Sequence, residues 1–271
     1  FSQIGTEEVL NGNFSQEGSE LITNGDFATD SDWTTNDWNI SGGTLNGSAS
    51  TGIVFQSSIG VVVGKTYKVV LEISNYTSGS IRFKVGGASY QNIASEDGVQ
   101  EFYFVAATTA NNILFSVQSA YTGSIDNVSV KEVGQNWTFV GDFETDGTKA
   151  IISNASQYSQ VTSQQGSTFL KNGKTYKLEA DITTSINNVL AYRVQGGTVI
   201  PISTSDIVDG KYTSYFTMTQ DGYFWFQTTG AYTGLNATIT NISVKEVGQD
   251  WTLGTGWSID QANSKAVSDT T

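Results

Sequence analysis

The residues best suited to chemistry are aromatics paired with a few planar polar or charged groups. Sugar recognition needs aromatic faces for C–H stacking and polar side chains for hydroxyls. Tyr121 and Tyr232 are the neatest candidates, because each sits in a repeated Ala-Tyr-Thr-Gly tetrapeptide. Tyr76, Tyr90, Trp225, Lys84 and Arg193 complete the candidate glycan-binding set. Each has an architectural reading beside it. The tyrosines would pack a loop with their hydroxyls on backbone, and Lys84 and Arg193 would lie on a solvated strand face. Trp33, Trp137 and Trp251 read as core or interdomain plugs, since each stands at or near the start of a repeat.

Catalysis has little to work with. The chain holds no His and no Cys, so a Ser-His-Asp set and a zinc site both lack their usual residues. Glycoside hydrolysis needs only two carboxylates in a cleft, but the acids here are scattered through turns and termini. No Gly-rich phosphate loop precedes a helix. The expectation is a protein that is not an enzyme.

These candidates must be carried on strands. Hydrophobic residues make up 38% of the 271, with 29 Gly and a single Pro, the profile of short strands joined by polar turns. The net charge of −13 argues against nucleic acid and anionic membranes as partners. No apolar run approaches the ~18 residues that a spanning helix needs. Phe1 opens without a basic and then apolar leader, and the two ends read as those of a fragment.

A long repeat sets the domain plan. Residues 129–138 read SVKEVGQNWT and residues 243–252 read SVKEVGQDWT. Gly-Lys-Thr-Tyr-Lys occurs at 64–68 and again at 173–177, and Ile81, Phe83 and Val85 map onto Leu190, Tyr192 and Val194. The expected domains are a repeat at 20–134, a repeat at 135–248, and a third, truncated repeat at 249–271. Residues 1–19 carry Asn-Gly-Asn-Phe at 11–14, an echo of Asn-Gly-Asp-Phe at 24–27, and are expected to be a lead-in strand or linker. In the first repeat, strands are predicted at 21–27, 38–45, 53–59, 67–74, 80–85, 100–106, 113–119 and 125–133. The predicted class is all-β, as tandem jelly-roll β-sandwiches.

The 21–27 stretch, the tryptophans at 33 and 38, and the closing Ile-Asp-Asn-Val-Ser-Val at 125–130 resemble the carbohydrate-binding-module superfamily with a galactose-binding-like jelly roll. The tandem Asn-Gly-x-Phe and the Val-Lys-Glu-Val-Gly at each repeat end also resemble repeats of bacteriophage tail, fibre and other virion proteins. The likeness covers most of 20–248. It implies first and last strands side by side, often sharing a structural calcium, for which Asp26, Asp30 and Asp126 are the matching positions. The other reading is that these acids cap turns. No cofactor is required. The resemblance implies a structural or attachment protein of a phage particle, extracellular or on the virion surface. Its partners would be other virion proteins or copies of itself, and host-surface glycan. The alternative is a carbohydrate-binding region of a secreted bacterial polysaccharide-active enzyme or adhesin.

Overall fold

The computed structural model describes residues 4–163, 166, 168–230, 233–248, 255–260 and 265–268. Their regular structure is antiparallel β apart from one short 3-10 turn, Thr204–Asp206, as the composition predicts. Alternation drives it. In the strand Thr66–Val85, Tyr67, Val69, Leu71 and Ile73 are buried and the residues between them are not.

The chain divides into two compact units. One unit is Glu17–Val133. The other is Gly134–Thr271 together with Phe1–Gln16. The described residues 4–16, expected to be a lead-in strand or linker, group with the second unit. They are the entry segment of the second sandwich, and the whole first sandwich is inserted after them.

In the second unit two sheets enclose one apolar core, and in the first a single eight-stranded sheet folds into two layers around its own. In the second sandwich the larger sheet is centred on Thr175–Thr184 and Leu235–Val247. The smaller runs Trp137–Val140, Gln160–Ser163, Phe224–Thr228, Leu190–Val194, Val199–Pro201. The first sandwich follows the same plan with fewer breaks. Strands predicted separately at 67–74 and 80–85 are one strand, Thr66–Val85, and those at 113–119 and 125–133 are one strand, Asn112–Val133. Each of these passes from one layer into the other through register shifts around residues 74–81.

The Asn-Gly-x-Phe motifs do the same job twice. The stretch 21–27, predicted as a strand, is an irregular strap touching the sheet through an isolated Glu20–Lys131 bridge. Asn24 and Phe27 have φ of 51° and 48°, and Asn11 and Phe14 have φ of 52° and 60°, a left-handed backbone away from the extended strand conformation. The Gly25 carbonyl accepts from Val128 N–H, and the Gly12 carbonyl accepts from Ile242 N–H, both at 2.9 Å. A Cβ on either glycine would run into the carbonyl oxygen of that same partner. The Trp33 indole donates to Asn24 O at 3.0 Å and the Trp137 indole to Asn11 O at 2.9 Å. Their rings pack on Phe27 and Phe14 at 5.2 and 5.1 Å. A glutamate completes each strap. Glu20 accepts from the Val130 amide and the Ser129 hydroxyl, and Glu7 accepts from the Val244 amide and the Ser243 hydroxyl.

Trp33 and Trp137 are thus core residues, one of the two roles predicted for them. Trp251 lies outside the described residues. Of the predicted third repeat, the described part is a hairpin, Trp257–Asp260 with Lys265–Ser268.

Because Phe14 is fully buried in the second core, Phe14→Ala should cost about 3–5 kcal/mol there. Urea unfolding followed residue by residue by NMR should show residues 137–247 destabilised and residues 66–130 unchanged. Equal destabilisation of both sets, or of neither, would refute the assignment of this strap to the second sandwich.

Candidate functional site

The two-residue period of the strands decides which side chains the smaller sheets present outward. In the first sandwich Ile81, Phe83 and Val85 face the core, so Arg82 and Lys84 face out. Thr34, Phe55, Leu114 and Lys84 stand in register across four strands, with Ile53, Ser116, Arg82 and Asn92 in the neighbouring row. In the second, Leu190, Tyr192 and Val194 face the core and Arg193 faces out. Thr138, Thr162, Trp225, Arg193 and Val199 form the matching row.

Each face holds its cations against aromatic rings. The Arg82 guanidinium lies 3.9 Å from the centre of the exposed Tyr90 ring, and the Lys84 ammonium lies 4.9 Å from it. The Arg193 guanidinium lies 5.5 Å from the Trp225 ring, which also packs on Tyr223 at 5.5 Å. Such contacts contribute roughly 0.5–2 kcal/mol each and hold a long side chain in place. Arg193 Nε donates to the Gly197 carbonyl at 3.0 Å, and the Trp225 indole donates to Gln227 Oε1 at 2.6 Å. Two buried polar atoms on these faces lack a partner, Arg82 Nε and the Thr162 hydroxyl.

The charge pattern singles these faces out. Every lysine from Lys65 to Lys245 except Lys84 forms an ion pair with a carboxylate, at 2.8–3.9 Å. Lys84 and the chain's two arginines, Arg82 and Arg193, form none among the described residues. On the outer face of the larger sheets, by contrast, shallow depressions are lined by charges that neutralise one another. Glu17 pairs with Lys68 and Lys131, and Asp181 with Lys211. The Glu17 carboxyl is held below the usual carboxylate range, chiefly by its bond from Lys131.

The structure brings Lys84 and Tyr90 together, and Arg193 and Trp225, but separates them from the predicted tyrosine pair. Tyr121 is not in a surface loop. It lies within the strand Asn112–Val133, 2% exposed, with its ring stacked on Trp38 at 5.4 Å and beside Tyr76 at 6.0 Å. Burial pushes its hydroxyl up to about 12. It has no face to offer a sugar, and its role is packing, although its hydroxyl finds no partner. Tyr76 is half-buried against it and donates to the Gly79 carbonyl at 3.0 Å. Tyr232 lies outside the described residues. Arg82 escaped the sequence reading although it shares the face of Lys84 at i−2. Tyr223, Gln227 and Thr162 escaped it too, because only the strand pairing places them beside Trp225.

Among the described residues no three acidic, His or Cys side chains converge closely enough to hold a metal. Asp26 Oδ1 accepts from the Ala28 amide, and Asp126 Oδ1 accepts from the Asn127 amide. Both are local turn contacts. No helix among the described residues is long and apolar enough to cross a membrane.

No protein-family model matches the chain, and no curated protein does. Among solved structures, the chain is similar to the N-terminal tandem CBM22 domain of Paenibacillus barcinonensis Xyn10C, at 8% identity and TM-score 0.31, over 86% of this chain and 98% of that one. It is also similar to the major capsid protein P2 of bacteriophage PM2, at 12% identity and TM-score 0.21, over 77% and 99%. At these values neither likeness bears on function.

The unpartnered Tyr121 hydroxyl gives a test of its packing role. A buried hydroxyl without a hydrogen bond carries a desolvation cost and no return. Tyr121→Phe should leave urea stability unchanged or raise it by up to about 1 kcal/mol. A loss of more than about 1 kcal/mol would show that the hydroxyl has a partner the fold depends on.

Proposed function

We propose that this chain is a non-enzymatic structural and attachment protein of a phage particle, a fibre, tail or head-decoration component, whose sandwiches contact host-surface glycan. The observation that carries the glycan part is that cations without an ion pair stand at corresponding strand positions of both sandwiches, Lys84 and Arg193, each against an exposed or half-exposed aromatic, Tyr90 in one and Trp225 in the other. An aromatic face flanked by unengaged donors is what a sugar ring and its substituents require. The virion or extracellular setting, with copies of itself or other virion proteins as partners, rests on the sequence resemblance alone. The duplication supports an attachment role, since two weak sites in one chain gain avidity against a repeating polymer. The chain also offers no His or Cys with which to build a hydrolytic centre.

Binding of the intact chain to a panel of bacterial-surface and plant polysaccharides, beside Tyr90→Ala and Trp225→Ala, tests this. Saturable binding weakened about tenfold by each substitution is expected, with more than that in the double variant. No binding to any polysaccharide, or binding indifferent to both substitutions, would refute the glycan role.

A further inference from the structure

The two outward faces say which kind of glycan. Resting on the glycan-binding reading above, we infer that these sites take an acidic polysaccharide, one whose repeat carries a carboxylate or phosphate, and that Arg82, Lys84 and Arg193 are the residues that recognise the charge.

The inference starts from an imbalance. The chain has 26 acidic residues against 13 basic ones, so carboxylates are the commonest charged neighbours available. The other lysines from Lys65 to Lys245 have found one. Among the described residues from Lys65 to Lys245, only the cations of these two faces have none, and both arginines of the chain are among them. Chance would spread unpaired cations over exposed loops. Instead all three stand on the outer face of the smaller sheet or layer, and two of them at positions that correspond between the sandwiches: Lys84 and Arg193 each follow the second core residue of the same strand.

Chemistry narrows the partner further. Arginine presents a planar fork of donors that matches a carboxylate or phosphate bidentately, and it is the residue suited to that geometry rather than to neutral hydroxyls. In the second site, Nε is occupied by the Gly197 carbonyl, which fixes the guanidinium and leaves its terminal amino groups without a partner among the described residues. In the first, no hydrogen bond to the Arg82 side chain occurs among the described residues, and its Nε is buried and unsatisfied. The cation–ring contacts hold these groups in place without neutralising them. A neutral sugar stacking on Tyr90 or Trp225 would leave three positive charges unused. An acidic sugar uses the ring and the charge together. The net charge of −13 does not forbid this, because at physiological salt fields are screened beyond about 8 Å while a direct pair is not.

The test uses the full chain and three polymers: polygalacturonate, its fully methyl-esterified form, and poly(glycerol phosphate). The ester keeps the sugar backbone and removes the charge. Two triple variants are compared, both checked for unchanged near-UV circular dichroism. R82Q/K84Q/R193Q removes the site cations, and K171Q/K174Q/K211Q removes the same three charges from exposed, ion-paired lysines. The expected result is at least tenfold tighter binding of polygalacturonate or poly(glycerol phosphate) than of the ester, lost in the site variant and kept in the control. Which acidic polymer binds tells whether the charge is a sugar carboxylate or a backbone phosphate. Equal binding of acid and ester, or equal loss in both variants, would overturn the acidic-ligand inference while leaving glycan binding intact. Failure of every polymer to bind, in the wild-type chain as well, would overturn both.

Discussion

The contact on which both sandwiches depend is a single backbone exchange between a strap and the closing strand. In that strand Asn127 and Asn241 adopt φ of 51° and 50°, and the pairing with the neighbouring strand slips by a residue at that point. A bulge of this kind leaves a backbone N–H out of the ladder, and a buried N–H without an acceptor is costly. The strap supplies the acceptor, Gly25 O to Val128 and Gly12 O to Ile242. Only glycine can bring its backbone so close. Everything else at the join follows from that approach. The strap's asparagine turns left-handed, its carbonyl meets a tryptophan indole, and its phenylalanine drops into the core beside that tryptophan. Asn127 and Asn241 complete the bulge by donating to Glu72 and Asp181 at 2.9 and 2.7 Å.

Much of this was legible in the sequence as parts, and little of it as partners. Alternating Val and Ile around 128–130 and 242–244, the repeated Gly-Lys-Thr-Tyr-Lys and the turn glycines point to an all-β chain of two similar sandwiches, and the structure has them. The echo of residues 11–14 in 24–27 is visible too. Its meaning is not, because Gly12 meets a strand whose contact residue is Ile242, and no local pattern reports so distant a pairing. Two copies 13 residues apart look like one repeat stuttering. They are straps for two different sandwiches, presented in the reverse of the order in which those sandwiches close. Strand length failed for a related reason: turn-like residues such as Asn75 and Gly79 are absorbed as bulges within Thr66–Val85 rather than ending it.

The candidate site divides along the same line. Lys84 and Arg193 fall on an outward face from the two-residue period alone, and the structure places the rings of Tyr90 and Trp225 against them. Tyr121 shows that repetition is no sign of exposure. A motif recurs for packing as readily as for binding, and here it recurs where a large ring fills the core against Trp38. What the sequence could not show was which cations are already spoken for. Ion pairing depends on strand register, and only the register distinguishes Lys68, held by Glu17 and Glu101, from Lys84, held by none. The larger sheets spend their charges on stability and the smaller sheets keep theirs unengaged.

The nested assembly of the chain is tested most directly by hydrogen exchange on a chain that begins at Glu17. Without residues 1–16 the Ile242 amide loses its acceptor and the second core loses Val9 and Phe14. Amides across 137–247, those beside Arg193 and Trp225 included, should then exchange rapidly, while Val128 and the rest of the first sandwich stay protected. Full protection of 137–247 in the shortened chain would contradict the assignment, since the second sandwich would then close without its strap.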